Sequence, residues 1–307
     1  MKMKALVNAE ICVKGEVLNG DIVLLDGKIF DVVDPGQYPK DKKNEIIDCK
    51  GKLILPGLID VACGSSELET ALSAGVTLQL AGDSFGSKTK IASDWSDGEI
   101  EKLCKGLSEG EKLHFSRVSK GADVDLINQY RDKGVTCDVA LHSLVLNEDD
   151  KDYIDDFVGS KPALGERQEL FALWKSLKFA EIDMIVSGHE SFFPAVEWLL
   201  PILLNAANDE GLTIAEVVKL ACEKPAEIFG IKNKGKIEVG YDADLVIVDM
   251  ELERKVERED LFTKCGWSPY EGSVFKGWPV KVFVNGELSF SDGKVLGKPK
   301  GKEVEFA

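Results

Sequence analysis

Histidine is scarce in this chain, with 3 residues in a length of 307. A site that needs four imidazoles as metal ligands is therefore excluded within one chain. Basic residues are also few, because 38 Lys and Arg face 54 Asp and Glu, and the formal net charge is −16. This balance argues against nucleic acid as a partner, since phosphate binding needs a basic face. It also opposes binding to an anionic membrane surface.

Long apolar runs and paired cysteines are missing as well. The most apolar stretch, residues 195–207, contains Glu197 and is too short to cross a bilayer. The N-terminus has no apolar core of a secretion signal. The 7 cysteines are an odd number without a CxxC pair, which is typical of reduced thiols rather than of a disulfide framework or a zinc ribbon. We therefore expect a cytoplasmic protein without a membrane span.

Strand patterns occupy both ends of the chain. Asp26-Gly27 and Asn285-Gly286 each stand between apolar runs, and such dipeptides favour two-residue hairpin turns. The pattern predicts a small β-sandwich domain built from residues 1–50 and 235–307. We expect the tail, residues 297–305, to be a loosely held end, because it is rich in Lys and Gly.

The middle of the chain, residues 51–234, alternates short apolar strands with helical stretches. The predicted strands are 53–55, 76–80, 113–118, 135–140 and 182–186, and the predicted helices are 123–133, 166–179 and one that begins at Thr213 with a capping box to Glu216. This alternation predicts an α/β fold with a parallel sheet or a (β/α) barrel. A complete barrel takes ~250 residues, so the segment is short by about two βα units. We therefore predict a reduced or irregular TIM-like barrel.

Four segments resemble the amidohydrolase superfamily, and within it the dihydroorotases and dihydropyrimidinases. They are GKLILPGLIDV at 51–61, AGVT at 74–77, residues 182–201, and KPAEIFG at 224–230 followed by KGKIEVGYDADLV at 234–246. The resemblance implies hydrolysis of cyclic amides at a binuclear metal centre, where two cations lower the pKa of a bridging water. It also implies that the third and fourth barrel units are missing or replaced by residues 83–112.

Other residues stand at the positions where this resemblance locates metal ligands and catalytic groups. The His-x-His pair of the first strand falls on Ala62 and Gly64, which cannot ligate through a side chain. A later ligand position holds Arg117, whose guanidinium stays protonated and opposes a cation. On the last strand the catalytic Asp falls on Gly188 and the substrate-contacting His on Phe192. The comparison therefore implies that the binuclear centre is lost.

Four residues remain as candidates for a residual pocket, namely Cys63, Arg117, His142 and His189. Two histidines and a carboxylate such as Asp138 or Glu190 could hold one zinc. The alternative is that His142 and His189 are hydrogen-bonded remnants at strand ends. Cys63 ends the first barrel strand, where barrel active sites lie. It would be a nucleophile beside one of these histidines, and otherwise a buried inert thiol.

Three functions remain open from the sequence. The first is a non-catalytic dihydroorotase-like homologue that needs no metal or cofactor and acts as a structural or regulatory partner. For this function the resemblance suggests aspartate transcarbamoylase as the partner and pyrimidine biosynthesis as the setting, with self-association as the alternative. The second is an active cyclic-amide hydrolase of the dihydroorotase or hydantoinase type, with a single zinc at His142 and His189. The third is a binder of small anions in the old pocket, held by the fork of Arg117.

Overall fold

A computed structural model describes residues 3–61, 63, 67–80, 88–93, 95–96, 98–158, 164–297 and 301–307. The strands are β1 Lys4–Val13, β2 Glu16–Leu25, β3 Lys28–Val33, β4 Glu45–Asp48, β5 Leu53–Pro56, β6 Leu58–Asp60, β7 Val76–Gln79, β8 Thr89–Ala92, β9 Lys112–Phe115, β10 Val135–Ala140, β11 Met184–Val186, β12 Leu245–Lys255, β13 Val274–Val284, β14 Glu287–Ser291 and β15 Lys294–Val295. The helices are α1 Leu68–Ser73, α2 Glu99–Lys105, α3 Gly121–Asn128, α4 Leu141–Val145, α5 Lys151–Val158, α6 Arg167–Lys178, α7 Leu199–Asn208, α8 Ile214–Val218 and α9 Lys224–Phe229. A π-helical turn, Lys219–Glu223, joins α8 to α9.

Strands from both ends of the chain form one nine-stranded sheet. Its order is β15-β14-β13-β12-β5-β1-β2-β3, and β4 pairs with β1 outside this path. The strand β1 pairs in parallel with β4 at residues 4–7 and with β5 at residues 10–11, so the sheet branches along this strand. The expectation of a β domain built from both ends is confirmed.

Both predicted hairpin turns are confirmed. Asp26 and Gly27 have φ values of 50° and 81°, and Asn285 and Gly286 have φ values of 49° and 74°. Two consecutive positive φ angles define the type I′ turn, whose twist matches that of antiparallel strands. The two turns lie against each other, because a Cβ on Gly27 would come within 3.0 Å of the carbonyl oxygen of Asn285.

Parallel strands and intervening helices form the barrel. β6 pairs with β7, and a second sheet has the order β11-β10-β9-β8, with every pair parallel. Helix α1 connects β6 to β7, α2 connects β8 to β9, and α3 lies between β9 and β10. The described part of the chain thus supplies six parallel strands, against eight in a complete barrel. The fold is a TIM-like barrel with a β domain, as the sequence predicts.

Two details differ from the expected course of the chain. Residues 53–55, predicted as a barrel strand, belong to β5, which pairs with β1 and β12 in the nine-stranded sheet. The first barrel strand is β6, which begins at Leu58. The described residues of the segment 83–112 contain the strand β8 and the helix α2. The division at residue 50 stays a prediction, although the sheet extends past it.

The predicted capping box is confirmed and opens α8. The hydroxyl of Thr213 accepts a hydrogen bond from the backbone N–H of Glu216 at 3.2 Å, and a carboxylate oxygen of Glu216 accepts one from the Thr213 N–H at 2.7 Å. This reciprocal pair satisfies two N–H groups that a helix start leaves free.

Aliphatic side chains and the end of the chain fill the barrel interior. Ile59, Met184 and Val186 pack there with Phe229 and the half-buried Phe306. The backbone N–H of Lys232 donates to the backbone carbonyl of Glu305 at 2.9 Å, and that of Ala307 donates to the backbone carbonyl of Gly230 at 2.8 Å. The prediction of a loosely held tail at 297–305 is therefore wrong at Glu305, because its backbone carbonyl accepts a hydrogen bond from the segment after α9.

The buried helix α7 joins the barrel to the nine-stranded sheet. It packs on β13, where Gly277 has a φ of 100° and a Cβ would lie 2.6 Å from the Cβ of Leu204. A glycine is required there, because the helix and the strand approach each other too closely for any side chain. Within the described ranges no helix combines the length and apolar character that a membrane crossing needs.

Candidate functional site

The carboxyl ends of the parallel strands bring several polar side chains together, at the position where barrel enzymes carry their active sites. Asp60 ends β6 and Gln79 ends β7. Arg117 follows β9, and Ser187 follows β11. Because these strands are parallel, the side chains share one end of the barrel, which we call the barrel mouth.

Hydrogen bonds between Asp60 and Ser187 connect the ends of β6 and β11. The backbone N–H of Ser187 donates to Asp60 Oδ1 at 3.0 Å, and its hydroxyl donates to Asp60 Oδ2 at 2.5 Å. Both residues are fully buried. The Ser187 hydroxyl also accepts from the backbone N–H of His189 at 3.0 Å. Neither residue is among the candidates from the sequence, although a carboxylate inside the apolar run at 51–61 is a signal of buried pairing.

His114 and Asp138 form a second buried pair. His114 Nε2 lies 2.8 Å from Asp138 Oδ2, and Nδ1 lies 2.8 Å from the hydroxyl of Thr136. Asp138 Oδ1 accepts from the backbone N–H of Arg117 at 2.5 Å. Both ring nitrogens of His114 and both oxygens of Asp138 are therefore engaged within the protein. Asp138 is poorly placed to serve as the carboxylate ligand of a zinc ion.

Arg117 crosses the barrel mouth and pairs with Glu190. Its Nη1 lies 3.0 Å from Glu190 Oε1, and the two side chains are 34% and 30% exposed. Its φ of 64° lies in the left-handed region that a residue of this kind adopts at an energetic cost. The guanidinium already has a carboxylate partner, so an external anion would have to compete with Glu190.

His142 is buried beside Phe193, with ring centroids 5.3 Å apart. Burial lowers the pKa of His142 to about 4, and the nearby charge of Arg117 acts in the same direction. Its Nδ1 has no hydrogen-bond partner among the described residues. The ring is therefore neutral near neutral pH.

His189 is fully buried, and its Nδ1 accepts backbone N–H groups. The donors are Ala195 at 3.1 Å and Val196 at 3.4 Å. In the neutral ring the proton therefore sits on Nε2, an assignment that follows from these bonds. Burial lowers the pKa of His189, while Glu67 acts in the opposite direction. A metal ligand needs a free lone pair on nitrogen, and here one nitrogen is bonded and the other protonated.

Cys63 is buried and follows β6, which ends at Asp60. The side-chain amide of Gln79 donates to its Sγ at 3.0 Å. An amide is not a base, so this contact does not activate the thiol by removing its proton. The role of Cys63 as a nucleophile stays a hypothesis from the sequence.

Residues 62 and 64, where the resemblance locates the first two metal ligands, lie outside the described residues. In sequence they are Ala62 and Gly64. Among the residues that can be described, no group of three or more His, Cys, Asp or Glu side chains is arranged to hold a metal ion. The side chains of the described residues therefore do not fit a binuclear centre.

Known proteins provide an independent comparison. The profile described as "Amidohydrolase family" matches residues 96–289. A dihydroorotase of Pyrococcus furiosus is 30% identical over 217 residues, which cover 67% of this chain and 51% of that protein. A "Multifunctional protein CAD" of Squalus acanthias is 32% identical over 203 residues, covering 61% of this chain and 9% of that protein.

Solved structures agree on the fold. An L-hydantoinase (dihydropyrimidinase) from Arthrobacter aurescens has a TM-score of 0.82 at 19% identity and covers 97% of this chain and 98% of its own. The chain spans about half the length of the dihydroorotase it matches. The family profile covers well over half of this chain, and the barrel with its β domain agrees with it. The chain therefore belongs to the amidohydrolase family and is a homologue of the dihydroorotases.

Proposed function

We propose that this chain is a non-catalytic dihydroorotase-like homologue that lacks a binuclear metal centre and acts as a structural or regulatory partner of another protein. The observation that carries the proposal is the bonding at the barrel mouth. Asp60 accepts a hydrogen bond from Ser187, and Asp138 is hydrogen-bonded to His114. Arg117 forms an ion pair with Glu190. The carboxylates of Asp60, Asp138 and Glu190 are thus occupied in holding strand ends together.

The backbone at residue 188 supports the same proposal. The resemblance puts the catalytic Asp there, whereas this chain has Gly188 with a φ of 65°. A Cβ at this position would lie 3.0 Å from the Cβ of Ala140 and 3.4 Å from the His142 ring. A side chain would be strained by the backbone conformation and crowded by its neighbours. Glycine therefore fits position 188 better than a residue with a side chain, which supports the proposal.

A partner is the second part of the proposal. One relative is named a multifunctional protein, of which this chain matches a small part. We propose aspartate transcarbamoylase as the partner, within pyrimidine biosynthesis in the cytoplasm, because the dihydroorotase resemblance suggests it. Self-association of the chain is the competing possibility.

The two other functions have less support. A single zinc at His142 and His189 would have to break the bonds that Ala195 and Val196 donate to His189 Nδ1, or remove the proton from its Nε2. An anion bound by Arg117 would share the guanidinium with Glu190, whose charge it would repel. The zinc site opposes binding more strongly, because buried polar groups are costly to leave unpaired.

Metal analysis with an activity assay tests the non-catalytic proposal. The purified chain is dialysed after exposure to zinc, and its metal content is measured by mass spectrometry. We expect far less than stoichiometric zinc and no hydrolysis of dihydroorotate or hydantoin above the rate of buffer. Stoichiometric zinc that is lost in His142→Ala and Glu190→Gln, but kept in Glu251→Gln on the exposed part of β12, would overturn the proposal.

A further inference from the structure

A cavity of about 520 Å³ lies away from the barrel mouth, between the nine-stranded sheet and the segment that follows β12. Aromatic side chains form much of its wall, namely Trp198, Phe262, Trp278 and Phe290. Its volume lies within the range of small-molecule sites, and its lining is about equally polar and apolar. Neither the barrel chemistry nor the proposed partner role uses it.

Glu197 lines this cavity and is buried, with a relative exposure of 4%. One carboxylate oxygen accepts from the backbone N–H of Phe262 at 2.9 Å, and the other from that of Thr263 at 3.3 Å. It forms no ion pair with a Lys or Arg of the described chain. Each oxygen accepts one bond and keeps a lone pair for a further donor.

A buried carboxylate without a cation is costly, because burial disfavours the charged form. Burial raises the pKa of Glu197 to about 7, the two backbone hydrogen bonds oppose this, and the nearby Glu67 adds to it. A positive group bonded to Glu197 would relieve this cost. No Lys or Arg in the described ranges supplies such a group.

The charged residues around the cavity also favour a positively charged ligand. Three further carboxylates line it, those of Glu257, Glu259 and Asp260, against two bases, Arg254 and Lys255. Lys255 Nζ lies 3.7 Å from Glu257 Oε1. The guanidinium carbon of Arg254 lies 5.5 Å from the centre of the Trp278 ring. With Glu197 the lining has four carboxylates and two bases, so its net charge is negative.

We propose that this cavity binds a small organic cation with an apolar body, such as an arylalkyl amine or an amidine. The ammonium or amidinium group donates to Glu197, and the body packs against Trp198 and Phe262. Aromatic faces attract cations and also bury apolar surface, so both parts of the ligand are matched. The proposal does not depend on whether the barrel is catalytic.

Calorimetry with benzylamine tests this proposal, and benzyl alcohol is the uncharged control of the same shape. At about pH 8 we expect the ammonium to bind at least ~10-fold more tightly than the alcohol. Glu197→Gln should weaken benzylamine binding by about 10-fold, whereas Glu259→Gln at the exposed rim should change it by less than about 3-fold. Equal binding of the alcohol, or no benzylamine binding at millimolar concentration, would overturn the proposal.

A second measurement uses the unchanged protein, in case Glu197→Gln does not fold. The ligand competes with the proton on Glu197, so affinity should fall by about 10-fold between pH 8 and pH 6. Binding near neutral pH should also release protons, which calorimetry in two buffers of different ionisation heat detects. An affinity that does not change with pH, together with no proton release, would contradict a role for Glu197.

Discussion

His142 shows how burial sets the chemistry of a single residue at the barrel mouth. Its pKa of about 4 lies below the ordinary value of 6.5, so the folded state holds it neutral. A lowered histidine pKa contributes stability that is complete above pH 6.5 and is lost as the pH falls toward 4, because the unfolded chain takes up the proton first. We expect this contribution to fall by on the order of 3 kcal/mol over that range.

The comparison with His142→Gln isolates this effect, since glutamine does not titrate. Urea unfolding of both proteins near pH 7 and near pH 4.5 should show a steeper loss of stability in the wild type. Glu197 changes stability in the opposite direction, because its raised pKa favours the folded state at acid pH. It is present in both proteins and cancels. Equal pH slopes in the two proteins would contradict a buried neutral His142.

The sequence predicts which residues lie at the barrel mouth better than what they bond. The resemblance located His189 and Arg117 at strand ends, and each lies just past one. It could not indicate that His189 Nδ1 accepts from Ala195, because that bond depends on how the chain folds back after β11. Glu197 was visible as a charge inside an apolar stretch, but its two donors come from residues 262 and 263.

At the scale of elements, Gly57 controls how the chain passes from the sheet into the barrel. It separates β5 from β6, and a Cβ there would lie 2.1 Å from the Oγ1 and 2.8 Å from the Cβ of Thr77. We expect Gly57→Ala to lower the free energy of unfolding by about 1–3 kcal/mol, because overpacking forces the strands apart. Urea unfolding followed by circular dichroism measures this.

Gly301→Ala is the matched control, because a Cβ at Gly301 meets nothing within 4 Å. Its effect should stay within about 0.5 kcal/mol. Thr77→Ala added to Gly57→Ala should recover part of the loss, since it removes the two closest atoms. If Gly57→Ala is as stable as the wild type, β6 and β7 are not held in the observed register.

Local turn chemistry explains which elements the sequence predicts well. Asp26-Gly27 and Asn285-Gly286 adopt the positive φ angles that such dipeptides favour, so both hairpins follow from short-range physics. The apolar run at 53–55 is ambiguous, because a barrel strand and a central sheet strand are both buried on two faces. Its true partners, β1 and β12, are distant in sequence, and local pattern does not identify them.

At the scale of the whole molecule, the two chain ends and the barrel are interlocked. The nine-stranded sheet includes β5, which immediately precedes the barrel strand β6 in the chain. The end of the described chain pairs with Gly230 and Lys232, and Phe306 packs with the barrel interior. The nine-stranded sheet, the barrel and the last described residues thus pack against one another.

The net charge influences which proteins this chain associates with. A charge of −16 makes copies of the chain repel one another, and salt screens this repulsion. We therefore expect a monomer by light scattering at low salt, and a larger complex when the catalytic subunit of aspartate transcarbamoylase is added. Bovine serum albumin, another acidic protein, is the control and should form no complex. A dimer of the chain alone that persists at low salt, with no complex on addition of the subunit, would reject the transcarbamoylase and favour self-association.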